Sequence, residues 1–211
     1  MAQRRFRNPA IFICDLQEKF RSAIFEFDKV VFTASKLLRA SSVLQIPVFV
    51  TTQNRARLGD TVSELAPHLS RATVHEDVDK TRFSMWIPPI TDHFPTLSPS
   101  TTTSEQRREV VIVGIEAHIC VTQTALDLLS AGHAVYVLAD GVSSCNREEV
   151  PVALDRLRAA GAHITTSESW LYECMGDADI PEFKGIVGLV KETGPKTKEA
   201  LQGLLAYSAK I

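Results

Sequence analysis

Short runs of Val, Ile and other apolar residues, with stretches of helical spacing between them, recur along the chain, and this alternation restricts the fold more than any other feature. The runs are Ala10 to Cys14, Pro47 to Thr51, Glu109 to Val113, Ala134 to Leu138 and His163 to Thr165. They are too short for helices and are bounded by Gly, Pro or polar residues, so they read as buried parallel strands. Between them, Asp28 to Leu44 carries Val30, Val31, Ala34, Leu37, Leu38 and Ser41 at three- and four-residue spacing, and Ile119 to Ser130 and Arg147 to Ala160 repeat the helical pattern. Gly132-His133 and Gly161-Ala162 fall where a helix must stop before a strand begins. Crossovers between parallel strands are right-handed, so the expectation is a three-layer α/β/α sandwich of Rossmann-like topology around a central parallel sheet. At 211 residues, a single domain over 1–211 is expected.

The remaining segments read as peripheral. Residues 1–8, with Arg4, Arg5 and Arg7, are expected to be a flexible N-terminus that meets the first strand too soon for a transit peptide. Residues 94–108 (FPTLSPSTTTSEQRR) carry no apolar period and read as an exposed loop. Two peripheral helices are expected within 181–208, separated at Gly194-Pro195, and one of them is the candidate contact of a homo-oligomer. No apolar run approaches the roughly 20 residues that span a bilayer, so no membrane partner is expected. A net charge of -2 leaves no excess of cations to neutralise phosphates, which argues against nucleic acid as a main partner. Cys14, Cys120, Cys145 and Cys174 form no C-x-x-C pair, so neither a zinc knuckle nor a disulfide framework is expected, and a reducing, cytoplasmic setting fits. The ending Ala209-Lys210-Ile211 shares one residue of three with a peroxisomal S-K-L address and reads as a chance match.

In an open parallel sheet, ligands bind beyond the carboxyl ends of the strands. Asp15 ends the first run, and Glu116 to Cys120 follow the run Glu109 to Val113 and open a helix. A cysteine in a first helical turn faces the positive end of the macrodipole and unpaired N–H groups, which favours the thiolate; against this stands the ordinary buried cysteine. Asp15 with Glu18 also resembles a capping box that would merely start a helix. Lys80 in DVDKTRFSMW reads as a surface lysine or as a cation beside a thiolate. His118 lies two residues before Cys120, a spacing that points the two side chains in different directions on a helix.

Taken in order, Asp15 with Phe20 five residues on, Lys80 in K-T-R-F-S, and G-I-E-A-H-I-C-V at Gly114 to Val121 resemble the isochorismatase-like hydrolases. CDLQEKF, KTRFSMW, GIEAHICVTQTALDLL and GDADIPEFKGIVGLVKE are most similar to the branch called isochorismatase domain-containing proteins. The resemblance implies a catalytic Asp15, Lys80 and Cys120, a cis peptide bond between Ile115 and Glu116, and an oxyanion hole made by the Glu116 and Cys120 N–H groups. It implies hydrolysis of a small-molecule amide, imide or ureido group through a thioester. Gln17, Phe20, Gln53, Trp86 and Ile119 are the candidate pocket residues. A catalytically silent binding or scaffold protein of the same fold is the alternative.

No cofactor is expected, and no metal. Nicotinamidases in this superfamily carry a D-x-H metal motif after the second strand, where this chain has Thr52-Gln53-Asn54-Arg55, with no carboxylate or imidazole. Turnover of an identified substrate should therefore survive EDTA unchanged. Loss of activity in EDTA that zinc or iron restores would contradict this.

Overall fold

The computed structural model describes residues 4–95, 97 and 106–205. Six parallel strands form one sheet: β1 (Pro9–Cys14), β2 (Pro47–Gln53), β3 (Thr73–Lys80), β4 (Glu109–Ile115), β5 (Ala134–Ser143) and β6 (His163–Thr165), in the spatial order β3-β2-β1-β4-β5-β6. The chain moves outward from β1 to β3, then returns to place β4 on the other side of β1. The strand order thus reverses beside β1, the position at which open parallel sheets bind ligands beyond the carboxyl ends of their strands.

Period-two alternation assigns each strand residue to one of two layers. Ile11 and Ile13 of β1 pack towards α1 (Phe27–Leu44), α4 (Ser167–Met175) and α5 (Phe183–Leu205), in a core that includes Val30, Leu37, Trp170 and Ile186. Phe12 and Cys14 pack towards α2 (Thr122–Ser130) and α3 (Glu149–Ala159), with Val121, Leu128 and Leu157. The result is the three-layer sandwich. Helices α2 and α3 lie within the expected ranges, whereas β3 and α4 were not anticipated. From Glu76 onward β3 alternates, with Glu76, Val78 and Lys80 turned inward and His75, Asp77 and Asp79 exposed. It is an edge strand, so its polar outer face masks the apolar signal.

Two expected features of the termini are corrected. The segment expected to fray is held from Arg4 onward: Phe6 is buried against Tyr136 and Trp170, and Arg4 pairs with Glu182 at 2.7 Å. The two C-terminal helices are one, α5, with Pro195 inside it. An internal proline costs about 3 kcal/mol, and here a buried stripe of Leu189, Thr193, Thr197, Ala200 and Leu204 runs through the break. Lys36 of α1, itself buried, donates to Thr197 Oγ1 (3.2 Å) and Ser167 Oγ (3.3 Å), while Asp140 of β5 accepts from the Ser167 N–H (2.7 Å) and Oγ–H (2.6 Å). This network ties α1, α4, α5 and β5 together, and burial of the stripe overrides the local signal at Pro195. The final residues of the expected helix, 206–208, lie outside the described residues. In the segment read as an exposed loop, Phe94 is buried and meets Phe12, Phe49, Trp86 and His133; residues 96 and 98–105 lie outside the described residues.

Gly114 has φ +131°, and a Cβ there would lie 2.1 Å from the Cys14 carbonyl oxygen, so β1 and β4 can approach at the switch point only with glycine in that position.

At the opposite, amino edge of the sheet, His133 sits fully buried just before β5 and its Nε2 has no partner among the described residues. Burial, with the charges of Arg108 and Arg107, pushes its pKa from 6.5 down to about 4. The imidazole is neutral when folded but readily protonated when unfolded, so its contribution is complete above pH 6.5 and is lost as pH falls toward 4. Urea unfolding should show His133→Phe losing about 3 kcal/mol less stability than wild type across that interval. Parallel pH profiles for the two proteins would contradict this assignment.

Candidate active site

The carboxyl edge collects one side chain from each of three strand ends. Asp15 follows β1 with φ +51°, a left-handed conformation that aspartate tolerates better than most residues. Its N–H donates to the Thr51 carbonyl at 3.1 Å, its Oδ1 accepts from Thr51 Oγ1 at 2.7 Å and its Oδ2 accepts from Lys80 Nζ at 2.7 Å. The capping role is ruled out by these bonds: the turn Glu18–Phe20 starts at Gln17 and has no side-chain cap.

Lys80 is the last residue of β3, one strand removed from β1. Its four-carbon stem crosses the end of β2, and the ammonium donates to Asp15, to Gln53 Oε1 (2.7 Å) and to the Arg82 carbonyl (3.1 Å), with Cys120 Sγ at 3.9 Å. Asp15, Lys80 and Cys120 are 1%, 4% and 7% exposed, so the three groups interact with little water between them. Burial alone disfavours the ammonium; attraction to Cys14, Asp15 and Cys120 and the bond to Asp15 outweigh it, and the Lys80 pKa is raised above 10.5.

Cys120 lies in the turn Ala117–Val121, which precedes α2 and is wound more widely than an α-helix. The Val121 N–H reaches the Glu116 carbonyl at 3.1 Å, five residues back, and Thr122 Oγ1 donates to the Ala117 carbonyl at 2.6 Å. Thr124 Oγ1 donates to the Cys120 carbonyl at 2.6 Å and accepts from the Met85 N–H at 2.9 Å, fastening the turn to the loop that follows Lys80. The Ile115–Glu116 peptide bond is cis.

The other candidates divide. Gln53 reaches the site as a holder of Lys80, and its amide nitrogen, Nε2, donates to the Thr81 carbonyl at 3.0 Å. Gln17 is fully buried, and its amide joins backbones: Nε2 donates to the Gly59 (2.6 Å) and Gln53 (3.2 Å) carbonyls, and Oε1 accepts from the Gln53 N–H (2.7 Å). Phe20 packs on the α1 layer and Ile119 on the α2 layer, both partly buried. The Trp86 ring packs against Phe94 and His133, towards the amino edge of β5. His118 Nδ1 lies 2.9 Å from Ser144 Oγ. Arg55, in the tetrapeptide after β2, bonds Asp77 (2.7 Å) and Thr52 (3.1 Å), and its N–H donates to Asp79 (2.7 Å).

Two residues at the site escaped the sequence reading. Thr51 was noted only as the end of a strand, although a polar residue at the carboxyl end of a strand beside β1 is the kind of signal that singled out Asp15. Cys14 was counted only among the cysteines. It points into the α2 layer from β1, in the same buried cluster as Cys120. Burial, the neighbouring Cys120 and the negative charge of Asp15 hold its pKa well above the usual thiol range, against an opposing effect of Lys80.

A thiol, a carboxylate and an ammonium gathered at the switch point of a parallel sheet define a class of α/β protein with a buried polar cluster at its carboxyl edge. The Isochorismatase domain model matches residues 9–169, and the chain belongs to that family. It is 42% identical over 182 residues to the secreted isochorismatase effector Isc1 of Phytophthora sojae, covering 86% of this chain and 84% of that protein. It is 39% identical over 185 residues to human isochorismatase domain-containing protein 2, covering 88% and 84%. The structure named MAR1 ribonuclease from Caenorhabditis elegans superposes with a TM-score of 0.78 at 40% identity, covering 88% of this chain and 90% of that one. Family membership supports hydrolase activity. No helix among the described residues is long and apolar enough to cross a membrane.

Removing one partner of a buried ion pair strands the other's charge, at a cost of about 3–5 kcal/mol. Lys80→Met should therefore lower stability by that order in urea unfolding at neutral pH, and Asp15→Asn added to it should recover part of the loss. Because the folded Lys80 pKa is raised, the contribution is complete below 10.5 and is lost only as pH rises through the higher folded value. A loss of under about 1 kcal/mol for Lys80→Met would place the pair among ordinary surface salt bridges.

Proposed function

We propose that the chain is a cysteine-dependent hydrolase that cleaves a C–N bond of a small amide, imide or ureido compound. The carrying observation is the position of Lys80 Nζ, 2.7 Å from Asp15 Oδ2 and 3.9 Å from Cys120 Sγ, with all three side chains buried. Asp15 takes the Cys120 thiol proton and Lys80 offsets the resulting negative charge. The thiolate attacks the substrate carbonyl, and the Glu116 and Cys120 N–H groups receive the developing oxyanion. Collapse of this adduct expels the amine with the proton from Asp15 and leaves a thioester. Asp15 then deprotonates a water, which attacks the thioester and releases the acid and the thiol.

Cys120 lies in the turn that leads into α2, and Thr124 fastens that turn to the loop after Lys80, so the nucleophile is held on a rigid element. That is what preorganised attack requires. The rival is a binding protein of the same fold without turnover. The two part on chemistry: a binder needs neither an activated thiol nor a base beside it.

A panel of small amides and ureido acids, scored by ammonia release, identifies the substrate, with an RNA arm included because of the name carried by the worm structure. On that substrate, Cys120→Ala should abolish turnover with the fold intact, and Asp15→Asn should reduce kcat by at least about 10²–10⁴-fold. The double variant should be no worse than Cys120→Ala, as for residues acting as a unit. Near wild-type hydrolysis by Cys120→Ala would end the nucleophile assignment.

A further inference from the structure

The site contains a second thiol that the proposed hydrolysis does not use. Cys14 is completely buried at the end of β1, directly before Asp15, and its side chain faces the α2 layer, as Cys120 does. The two share one buried cluster, and Lys80 Nζ, 3.9 Å from Cys120 Sγ, also bonds the carboxylate of Asp15, the residue next to Cys14, so both thiols border the same ion pair. Two features bring them together. Cys14 pairs in register with Gly114 of β4, and that glycine's lack of a Cβ lets the backbones close at the point where β4 turns into the segment carrying Cys120.

The remaining cysteines are differently placed. Cys174 lies in the opposite layer, beyond the sheet. Cys145 is exposed, and its N–H donates to Glu116 Oε2 at 2.8 Å.

Taking Cys120 as the nucleophile, as proposed above, we infer that Cys14 is a resolving thiol and that Cys14 and Cys120 form a site of reversible oxidation by hydroperoxides. Only Cys120 combines slight exposure with a cation, Lys80 Nζ, near its sulfur, so it reacts first. Its sulfur attacks the terminal oxygen of ROOH and the O–O bond breaks. The hydroxyl transfers to sulfur, and RO⁻ leaves as ROH with the proton the thiol gave up. Sulfur is oxidised by two electrons and the peroxide is reduced by two. The Cys14 sulfur then attacks the Cys120 sulfenic sulfur, the S–O bond breaks, and the Cys14 proton leaves with the hydroxyl as water. The disulfide withdraws the nucleophile from turnover and shields it from irreversible sulfinic oxidation.

The test needs no substrate. The reduced full chain is treated with hydrogen peroxide near neutral pH, alkylated with iodoacetamide, digested without reductant and analysed by mass spectrometry. The expected product is a Cys14–Cys120 linked peptide, with the protein lighter by two hydrogens and both thiols recovered by dithiothreitol. In Cys14→Ala and Cys14→Ser, Cys120 should instead reach sulfinic acid that dithiothreitol does not reverse; Cys145→Ser should leave the linkage unchanged. Sulfinic Cys120 beside a free Cys14 thiol in the wild type would overturn the inference, and so would a Cys120–Cys145 linkage. Alkylation of the reduced protein separates this failure from that of the hydrolase reading. Cys120 that alkylates ahead of the other cysteines yet never links to Cys14 ends only the resolving role, whereas Cys120 that does not alkylate preferentially counts against its activation as a nucleophile.

Discussion

The contact on which the rest of the site depends is the one between the Lys80 ammonium and the Asp15 carboxylate, 2.7 Å apart and shut away from water. Neither charge is tolerable there alone. Desolvation of an isolated ion costs several kcal/mol, and mutual attraction offsets it only when the remaining donors and acceptors are matched. Thr51 serves the second carboxylate oxygen, while Gln53 Oε1 and the Arg82 carbonyl serve the ammonium. The pair is thus fixed from β2 and from the end of β3, in the first half of the sheet. Cys120 is added to it from the second half, across the switch point.

That division explains why glycine and hydroxyl residues are as necessary as the charged groups. Gly114 allows the Cys14 carbonyl to pass where a side chain would collide. Thr122 and Thr124 bond carbonyls of the wide turn around Cys120, so its backbone is held by side chains where regular helical bonding is interrupted. Polar groups on the far layer do comparable work away from the chemistry, where Lys36, Asp140, Ser167 and Thr197 join α1, β5, α4 and α5.

Much of this was legible in the residues. Buried parallel strands announce themselves because both faces are apolar, and β1, β2, β4 and β5 are of that kind. Asp15 and Cys120 stood out because polar residues rarely end such runs without reason. The strand carrying Lys80 did not stand out: T-V-H-E-D-V-D-K exposes every second side chain and reads as surface. Pro195 marked a break that long-range burial of Thr193, Thr197 and Leu204 overrode, since local pattern carries no record of the helix packed against it. The same limit applies to Gln17 and Trp86. A glutamine or tryptophan near a motif suggests a ligand contact, and only the fold reveals which backbone or ring it meets instead.

Placing the cation at the tip of an edge strand links the site to the least protected part of the sheet. A strand paired on one side only opens by local fluctuation at lower free energy than a central strand, because fewer backbone bonds and less apolar area are lost. When the end of β3 lifts from β2, Lys80 leaves with it, while Asp15 and Cys120 stay on the segments that follow the central strands β1 and β4. Warming would then take the buried cluster apart through fraying of one edge before the core melts, with amide exchange along 76–80 running ahead of β1 and β4. Heat inactivation and global unfolding become separate events, and the binding of a ligand that holds Lys80 in place would bring their temperatures together.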